Sequence, residues 1–268
     1  MRPYAKGRTV KGSAGVVALV LAEIVAGAIA LLWCLPLWRE VRRGFFMLMG
    51  SILFVLSLLT WLSASSGKVA GDASGAWSVR FAIATTASTA LSIGLLAARR
   101  QAAGRALGFL STAVSLGMLG AMAGTGRQSV PLASFQLLVG AAFLGSAVDG
   151  LMLGHWYLTD RGLERGPINR YTNVLIGAVG AEAIAVISGG FAGTGSSQAF
   201  NPLLTAGALA PWIALGMVAA TALVAALTHA ALRGERASAV QSATGFYYLA
   251  VVTALTAELA VKTRFLVS

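Results

Sequence analysis

The sequence has few of the residues that build soluble enzymes or disulfide-bonded domains. Of its 268 residues, 11% are charged, two are histidine and one is cysteine. Soluble domains carry about 25% charged residues, so this composition excludes a soluble globular enzyme. The single cysteine, Cys34, lies in an apolar stretch. It excludes a disulfide framework, a CxxC redox pair and a metal site built on cysteines.

Apolar residues are abundant and fall into long runs. They make up 57% of the chain, and the mean hydropathy is +0.79. The runs approach 20 residues, the length that a helix needs to cross a bilayer core of ~30 Å. The sequence therefore predicts an all-α integral membrane protein with about eight transmembrane helices in one polytopic domain, residues 1–268. The predicted spans are 14–38, 44–64, 79–98, 106–124, 133–158, 171–192, 206–232 and 242–264.

Two of these spans need comment. The first follows a basic N-terminal segment, as a secretory signal would, but it is longer than the ~7–15-residue apolar core of a signal. We expect it to be a retained helix. The third span has a polar middle, Ala-Thr-Thr-Ala-Ser-Thr, and its prediction rests on length more than on hydropathy.

Basic residues concentrate in every second loop. The loops after the first, third, fifth and seventh spans contain Arg39, Arg42, Arg43, Arg99, Arg100, Arg105, Arg161, Arg165, Arg170, Arg233 and Arg236. The other loops hold only Lys68, Arg80 and Arg127 and are rich in glycine and serine. Cytoplasmic loops of membrane proteins are enriched in Lys and Arg. We therefore predict that the arginine-rich loops face the cytoplasm, in a bacterial cytoplasmic membrane. The basic N-terminal residues Arg2, Lys6, Arg8 and Lys11 favour the orientation opposite to the one that the loops predict.

The charge distribution also bears on the partners of the chain. The net charge of +11 is accounted for by short loops and this N-terminal segment. We expect a lipid bilayer and other subunits of a membrane complex as partners, and no nucleic acid.

Short sequence similarities suggest an internal repeat. Three of the arginine-rich loops are followed by a helix that opens with Gly-Phe, at residues 44, 108 and 245. An Ala-Glu pair occurs in three apolar runs, at residues 22, 181 and 257. Repeats of this kind indicate two-helix hairpins, and membrane proteins often build a binding site where such repeats meet.

The two histidines lie in similar settings. His155 and His229 each sit near the end of an apolar helix, just before arginines. The two helices are separated by one span, so they run parallel and place both imidazoles at one membrane depth. This arrangement predicts bis-histidine ligation of one b haem, which holds iron six-coordinate for electron transfer.

Neighbouring residues fit the haem hypothesis. The small side chains of Ala222, Ala225 and Ala226 precede His229 at helical spacing and would let a porphyrin lie near the backbone. The arginines predicted to pair with the haem propionates are Arg161, Arg165, Arg233 and Arg236. The alternative is that both histidines are ordinary interfacial residues, since His155 stands in a His-Trp-Tyr sequence typical of an aromatic belt.

Four acids lie inside apolar runs: Glu23, Asp149, Glu182 and Glu258. An acid near the membrane centre costs roughly 2.5–3.5 kcal/mol, so its default interpretation is functional. The candidate roles are proton uptake, hydrogen bonding to quinone and ion binding. The alternatives are a protonated carboxyl that joins two helices and, for Glu258, a surface position near Lys262 and Arg264. Asp149 is six residues before His155 and points ~120° away, so we expect it to have another partner.

The sequence predicts no catalytic centre. Its leading functional prediction is a membrane subunit of a respiratory-type oxidoreductase, which anchors partner subunits and exchanges electrons with quinone through one b haem. The alternatives are a small-molecule or proton-coupled transporter that uses the buried acids, and a structural anchor without a cofactor.

Overall fold

Eight long α-helices account for nearly all of the described chain. The computed structural model describes residues 12–67, 72–125, 128–160, 162–190, 209–234 and 238–263. Within them the helices are α1 (Gly12–Cys34), α2 (Arg43–Gly67), α3 (Ala73–Ala97), α4 (Gln101–Ala123), α5 (Val130–Thr159), α6 (Gly166–Ser188), α7 (Leu209–Leu232) and α8 (Ser238–Lys262). Each is 23 to 30 residues long and apolar enough to cross a membrane. The predicted all-α membrane fold with eight spans is confirmed.

The helix ends follow local sequence rules. α1 ends four residues before the predicted boundary, since Pro36 opens a short 3-10 turn, Pro36–Arg39, and proline cannot continue a helix. α3 begins six residues earlier than predicted because Asp72 caps it, accepting hydrogen bonds from the backbone N–H groups of Ser74 and Gly75. A capping carboxylate satisfies N–H groups that a helix start leaves without partners.

The polar middle of α3 faces the protein interior. Thr85, Thr86, Thr89 and Ser92 are buried, whereas Leu91 is 57% exposed. Ser92 donates a hydrogen bond to the backbone oxygen of Gly104 on α4. Small polar side chains between transmembrane helices allow close packing and hydrogen bonding, while lipid solvates the apolar side chains outside. The low hydropathy of α3 therefore reflects its buried interfaces with neighbouring helices.

The helices form two four-helix units. In the first unit, α1 packs on α2, α2 on α3, α3 on α4, and α4 back on α1. In the second unit, α5, α6, α7 and α8 repeat this cyclic order. Each helix is long enough to cross the membrane, so successive helices alternate in direction. The arginine-rich turns therefore lie together at one end, which we call the arginine-rich end. The repeating element that the packing shows is thus a set of four helices, larger than the predicted two-helix hairpin.

The first helices of the two units cross closely. A Cβ atom on Gly27 of α1 would lie 1.7 Å from the backbone oxygen of Ala141 on α5. A Cβ atom on Gly145 would lie 2.4 Å from the backbone of Gly27. Glycine lets two membrane helices approach to backbone contact. This α1–α5 crossing is the main contact between the units. One side of the crossing lies toward the arginine-rich end, and the other side lies away from it.

Candidate functional site

Four ionisable side chains meet on the side of the α1–α5 crossing that lies away from the arginine-rich end. They are Glu23 of α1, Glu182 of α6, and Glu258 and Lys262 of α8, and we call them the acid–lysine cluster. Glu23, Glu258 and Lys262 are fully buried, and Glu182 is 1% exposed. The first unit contributes Glu23, and the second unit contributes the other three. The cluster therefore joins the two units.

Lys262 forms ion pairs with two of the carboxylates. The Nζ atom of Lys262 lies 2.6 Å from Oε1 of Glu23 and 2.8 Å from Oε2 of Glu258. Glu258 and Lys262 are four residues apart, a spacing that places them on one face of α8. Gly140 of α5 makes room for these groups, since a Cβ atom there would lie 2.4 Å from Oε1 of Glu23 and 3.0 Å from Oε1 of Glu258.

The cluster has more acids than cations. With all four groups ionised, three carboxylates and one ammonium leave an excess charge of −2 in a site without water contact. Glu182 lies within electrostatic range of Glu258, Lys262 and Glu23. A proton bound to one of the carboxyls reduces the excess charge and supplies a hydrogen-bond donor. Charges buried in a membrane need such compensation.

The structure corrects one alternative and adds one residue. The surface position considered for Glu258 is wrong, because its carboxylate is fully buried and ion-paired. The sequence indicates Lys262 only as a neighbour of Glu258 near the membrane surface, but it is the central cation of the site. Its spacing of four residues from Glu258 is the sequence signal that points to this pair.

Two further ion pairs join the units at the arginine-rich end. Arg42, between α1 and α2, lies 3.0 Å from a carboxylate oxygen of Asp160 at the end of α5. A carboxylate oxygen of Glu40 forms an ion pair with Arg170 of α6 at 2.7 Å. Each pair has one partner from each unit: the first unit supplies the cation of one pair and the anion of the other. These pairs close the arginine-rich end, while the acid–lysine cluster closes the other.

Asp149 lies between these two closures, one helical turn beyond Gly145. Its side chain is fully buried, and neither carboxylate oxygen has a hydrogen-bond partner among the described residues. The hydroxyl of Tyr171 lies beside it without hydrogen-bond geometry. Tyr247 of α8 lies on the same side, and its hydroxyl is 2.9 Å from that of Thr172.

The structure places the two histidines in different surroundings. The Nε2 atom of His155 lies 2.5 Å from the hydroxyl of Tyr248 on α8, and its Nδ1 atom lies 2.8 Å from the backbone oxygen of Leu151. His229 lines a groove between α6 and α7, with Ile176 and Val179 across it. Both histidines lie near the arginine-rich end, as their register predicts. No contact in the described chain joins them.

The other residues predicted to hold the haem also lie in different surroundings. Ala222, Ala225, Ala226 and Arg233 line the groove beside His229. Arg165 donates hydrogen bonds to the backbone oxygens of Leu232 and Gly234, so it fixes the start of α6 against the end of α7. Arg161 and Arg236 lie outside the described residues.

The described residues contain no group of three or more His, Cys, Asp or Glu side chains arranged to hold a metal ion. Comparison with family models, curated proteins and solved structures finds no match. By its geometry, the acid–lysine cluster is a buried, charge-unbalanced site shared by two packed units.

Proposed function

We propose that this chain is a proton-coupled transporter in which two four-helix units move against each other. The observation that carries the proposal is the acid–lysine cluster between the units. Repeat-built transporters place their coupling sites where the repeats meet inside the bilayer. Ionisable groups inside a membrane are costly and mark proton or ion pathways. Four of them in one buried contact exceed what anchoring two helices requires.

The charges of the cluster support protons as the coupling ion. Lys262 balances one of the three acids, so the remaining charge changes by one unit whenever a carboxyl gains or loses a proton. Glu23 belongs to one unit, and the Lys262 that holds it belongs to the other. Protonation of a carboxyl weakens its ion pair with lysine, because the charge attraction is lost. Proton binding therefore alters the contact between the units.

The positions of the other contacts support a rocking motion. The α1–α5 crossing at Gly27 and Gly145 lies between the cluster and the ion pairs Arg42–Asp160 and Glu40–Arg170. Rotation about this crossing loosens the contacts at one end and tightens those at the other. Alternating access in repeat-built transporters follows this pattern. Arg42 is 78% exposed, and both partners of the Glu40–Arg170 pair are partly exposed. Solvent screening makes these pairs weaker than the fully buried pairs of Lys262, so they permit opening at the arginine-rich end.

The test is substrate-driven proton movement into proteoliposomes that contain a trapped pH-sensitive dye. A panel of amino acids, sugars, organic acids and organic cations is added outside. Wild-type protein is expected to acidify the interior with at least one class. Glu182→Gln is expected to abolish that signal, because a neutral amide cannot exchange a proton. Glu164→Gln, which changes an exposed carboxyl, is expected to retain it. Equal proton flux in Glu182→Gln and wild type would refute the proposal.

A second candidate function is an electron-transfer subunit of a membrane complex, with one b haem and quinone as its acceptor or donor. The observation that favours it is the groove in which His229, Arg233 and four alanines lie together. Ligation by both histidines requires His155 to leave the Tyr248 hydroxyl and α5 to approach α7. The test is the absorption spectrum of dithionite-reduced protein. A b-type α band that disappears in His229→Ala and in His155→Ala supports this function, and pure protein without Soret absorbance refutes it.

A further inference from the structure

We infer that Asp149, together with Tyr171 and Tyr247, is a second proton-binding site, which serves the arginine-rich side of the α1–α5 crossing. The role of this site rests on the proposed function, but its residues are separate from those of the acid–lysine cluster. Within the described part of the chain, no contact joins Asp149 to the acid–lysine cluster. It lies nine residues beyond Gly140 on α5, which is ~14 Å along the helix.

Three helices bring polar side chains to this point. Asp149 belongs to α5, Tyr171 to α6 and Tyr247 to α8. All three are buried, and both tyrosines are less than 2% exposed. Gly150 allows the aromatic ring of Tyr247 to lie against α5, since a Cβ atom there would lie 2.1 Å from the ring. The sequence thus provides space for the second tyrosine beside the acid.

The bonding of Asp149 is incomplete. Both carboxylate oxygens and the Tyr171 hydroxyl lack a hydrogen-bond partner among the described residues. A buried polar group without a partner costs about 1–3 kcal/mol, and an ionised one costs more. Tight packing of the Tyr247 ring on Gly150 favours the smallest ligand. A proton on Asp149 removes the charge and turns the carboxyl into a donor, and a small rotation then joins it to Tyr171.

The other charged groups on the surrounding helices engage other partners or lie near helix ends. On α6, Arg170 pairs with Glu40; Glu182 of α6 and Glu258 and Lys262 of α8 belong to the acid–lysine cluster. On α1, Glu23 lies beyond the crossing and Cys34 is exposed at the helix end. Arg43 is the first residue of α2 and Arg105 is the fifth residue of α4, so both lie near the arginine-rich end. On α5 itself, His155 is six residues away and bonds to Tyr248. Among the described residues, no lysine or arginine contact holds Asp149 ionised, whereas Lys262 contacts both Glu23 and Glu258.

This placement gives each side of the crossing its own proton acceptor. The acid–lysine cluster serves the end away from the arginines, and Asp149 serves the arginine-rich end. Motion about the crossing exposes one acceptor while it covers the other. Protons entering on one side are thereby bound at one site and released from the other after the units rock.

The test is infrared difference spectroscopy of the purified protein in lipid, recorded from alkaline to acidic pH. A protonated carboxyl gives a C=O stretching band that shifts in heavy water. Asp149→Asn is expected to lose one such band and Glu182→Gln a different one. Tyr171→Phe is expected to shift the Asp149 band, because it removes the neighbouring hydroxyl, and this milder variant guards against misfolding of Asp149→Asn. Tyr248→Phe, which changes the half-exposed tyrosine next in sequence, is expected to leave the band unchanged.

The outcomes separate this inference from the proposed function. An unchanged set of carboxyl bands in folded Asp149→Asn would refute the second site, even if transport remains coupled to protons. A lost band in Asp149→Asn without any substrate-driven proton flux in the wild type would refute the transporter and leave the site. A band that Asp149→Asn removes and Tyr171→Phe does not shift would refute the part assigned to Tyr171.

Discussion

Replacement of Lys262 by methionine should show most clearly how the acid–lysine cluster stabilises the fold. Methionine keeps much of the length and volume of lysine but removes its ammonium, which lies within 2.6 and 2.8 Å of two carboxylates. Removal of one partner from a buried ion pair typically costs about 3–5 kcal/mol, because a charge remains without compensation. Protonation of the carboxyls relieves that charge, and at neutral pH it costs roughly 3–4 kcal/mol for each ordinary carboxyl. Both routes predict a loss of several kcal/mol.

The pH dependence follows from the protons that the folded variant must hold. Folded Lys262→Met binds more protons than the unfolded chain, in which the carboxyls are ionised at neutral pH. Its stability should therefore be highest at low pH and should fall as pH rises, by about 1.4 kcal/mol per pH unit for each extra proton. The second variant, Lys262→Met with Glu258→Gln, removes one acid together with the cation and should recover about half of the loss.

The measurement is denaturant-induced unfolding in a mild detergent, followed by the fluorescence of the six tryptophans. Wild type, Lys262→Met, the double variant and the exposed control Glu164→Gln are compared at acidic and neutral pH. Wild-type stability in Lys262→Met at neutral pH would refute the reasoning. So would a loss of stability that does not change with pH, since simple loss of packing has no such dependence.

Three further predictions concern the crossing, the orientation and the arginine-rich end. Gly27→Ala should destabilise the protein by roughly 1–3 kcal/mol through overpacking, because its Cβ atom would overlap Ala141. The control Gly120→Ala, which has open space around it, should be neutral or stabilising. Equal unfolding midpoints for the two variants would contradict the assigned crossing. Reporters fused after Arg100 or Arg236 should read cytoplasmic and those after Gly126 or Gly195 external; inversion of all four would mean that the N-terminal basic residues set the orientation. Arg42→Ser should lower the free energy of unfolding by less than about 1 kcal/mol, since the arginine is 78% exposed. A loss several times larger would show that this ion pair stabilises the fold.

The sequence predicts the number and nature of the helices because both depend on local properties. Apolar runs of about 20 residues and loops with alternating charge identify all eight spans. Pro36 and Asp72 also mark two helix ends that the hydropathy pattern places several residues away. The polar middle of α3 weakens the prediction only because sequence alone does not reveal that its threonines are buried between helices.

The candidate site is only partly predictable from the sequence. Glu23, Glu182 and Glu258 stand out because acids are rare in apolar runs, but nothing in their spacing brings three different helices together. Lys262 resembles an interfacial anchor near the end of α8. Its burial depends on the packing of that end against the middle of α1, which is a tertiary property.

The histidines show the limit of register arguments. His155 and His229 are near the same end of their helices, as their positions in the sequence predict. Their directions, however, depend on the rotation of each helix and on the order of helices around the second unit. α5 and α7 stand opposite each other in the cycle of α5, α6, α7 and α8. His155 consequently faces α8, while His229 faces α6.

The central claim, that protonation of the acid–lysine cluster moves one unit against the other, is tested most directly by a distance measurement. In a Cys34→Ser background, spin labels on cysteines at Arg39 and Gly162 report the separation of the units at the arginine-rich end, and labels at Arg39 and Gln101 report a distance within the first unit. The account predicts that electron paramagnetic resonance detects two populations for the first pair, that their ratio changes with pH, and that Glu182→Gln removes the change. The distance within the first unit should stay constant. A single, pH-independent distance between the units, or a pH response that persists in Glu182→Gln, would contradict the account.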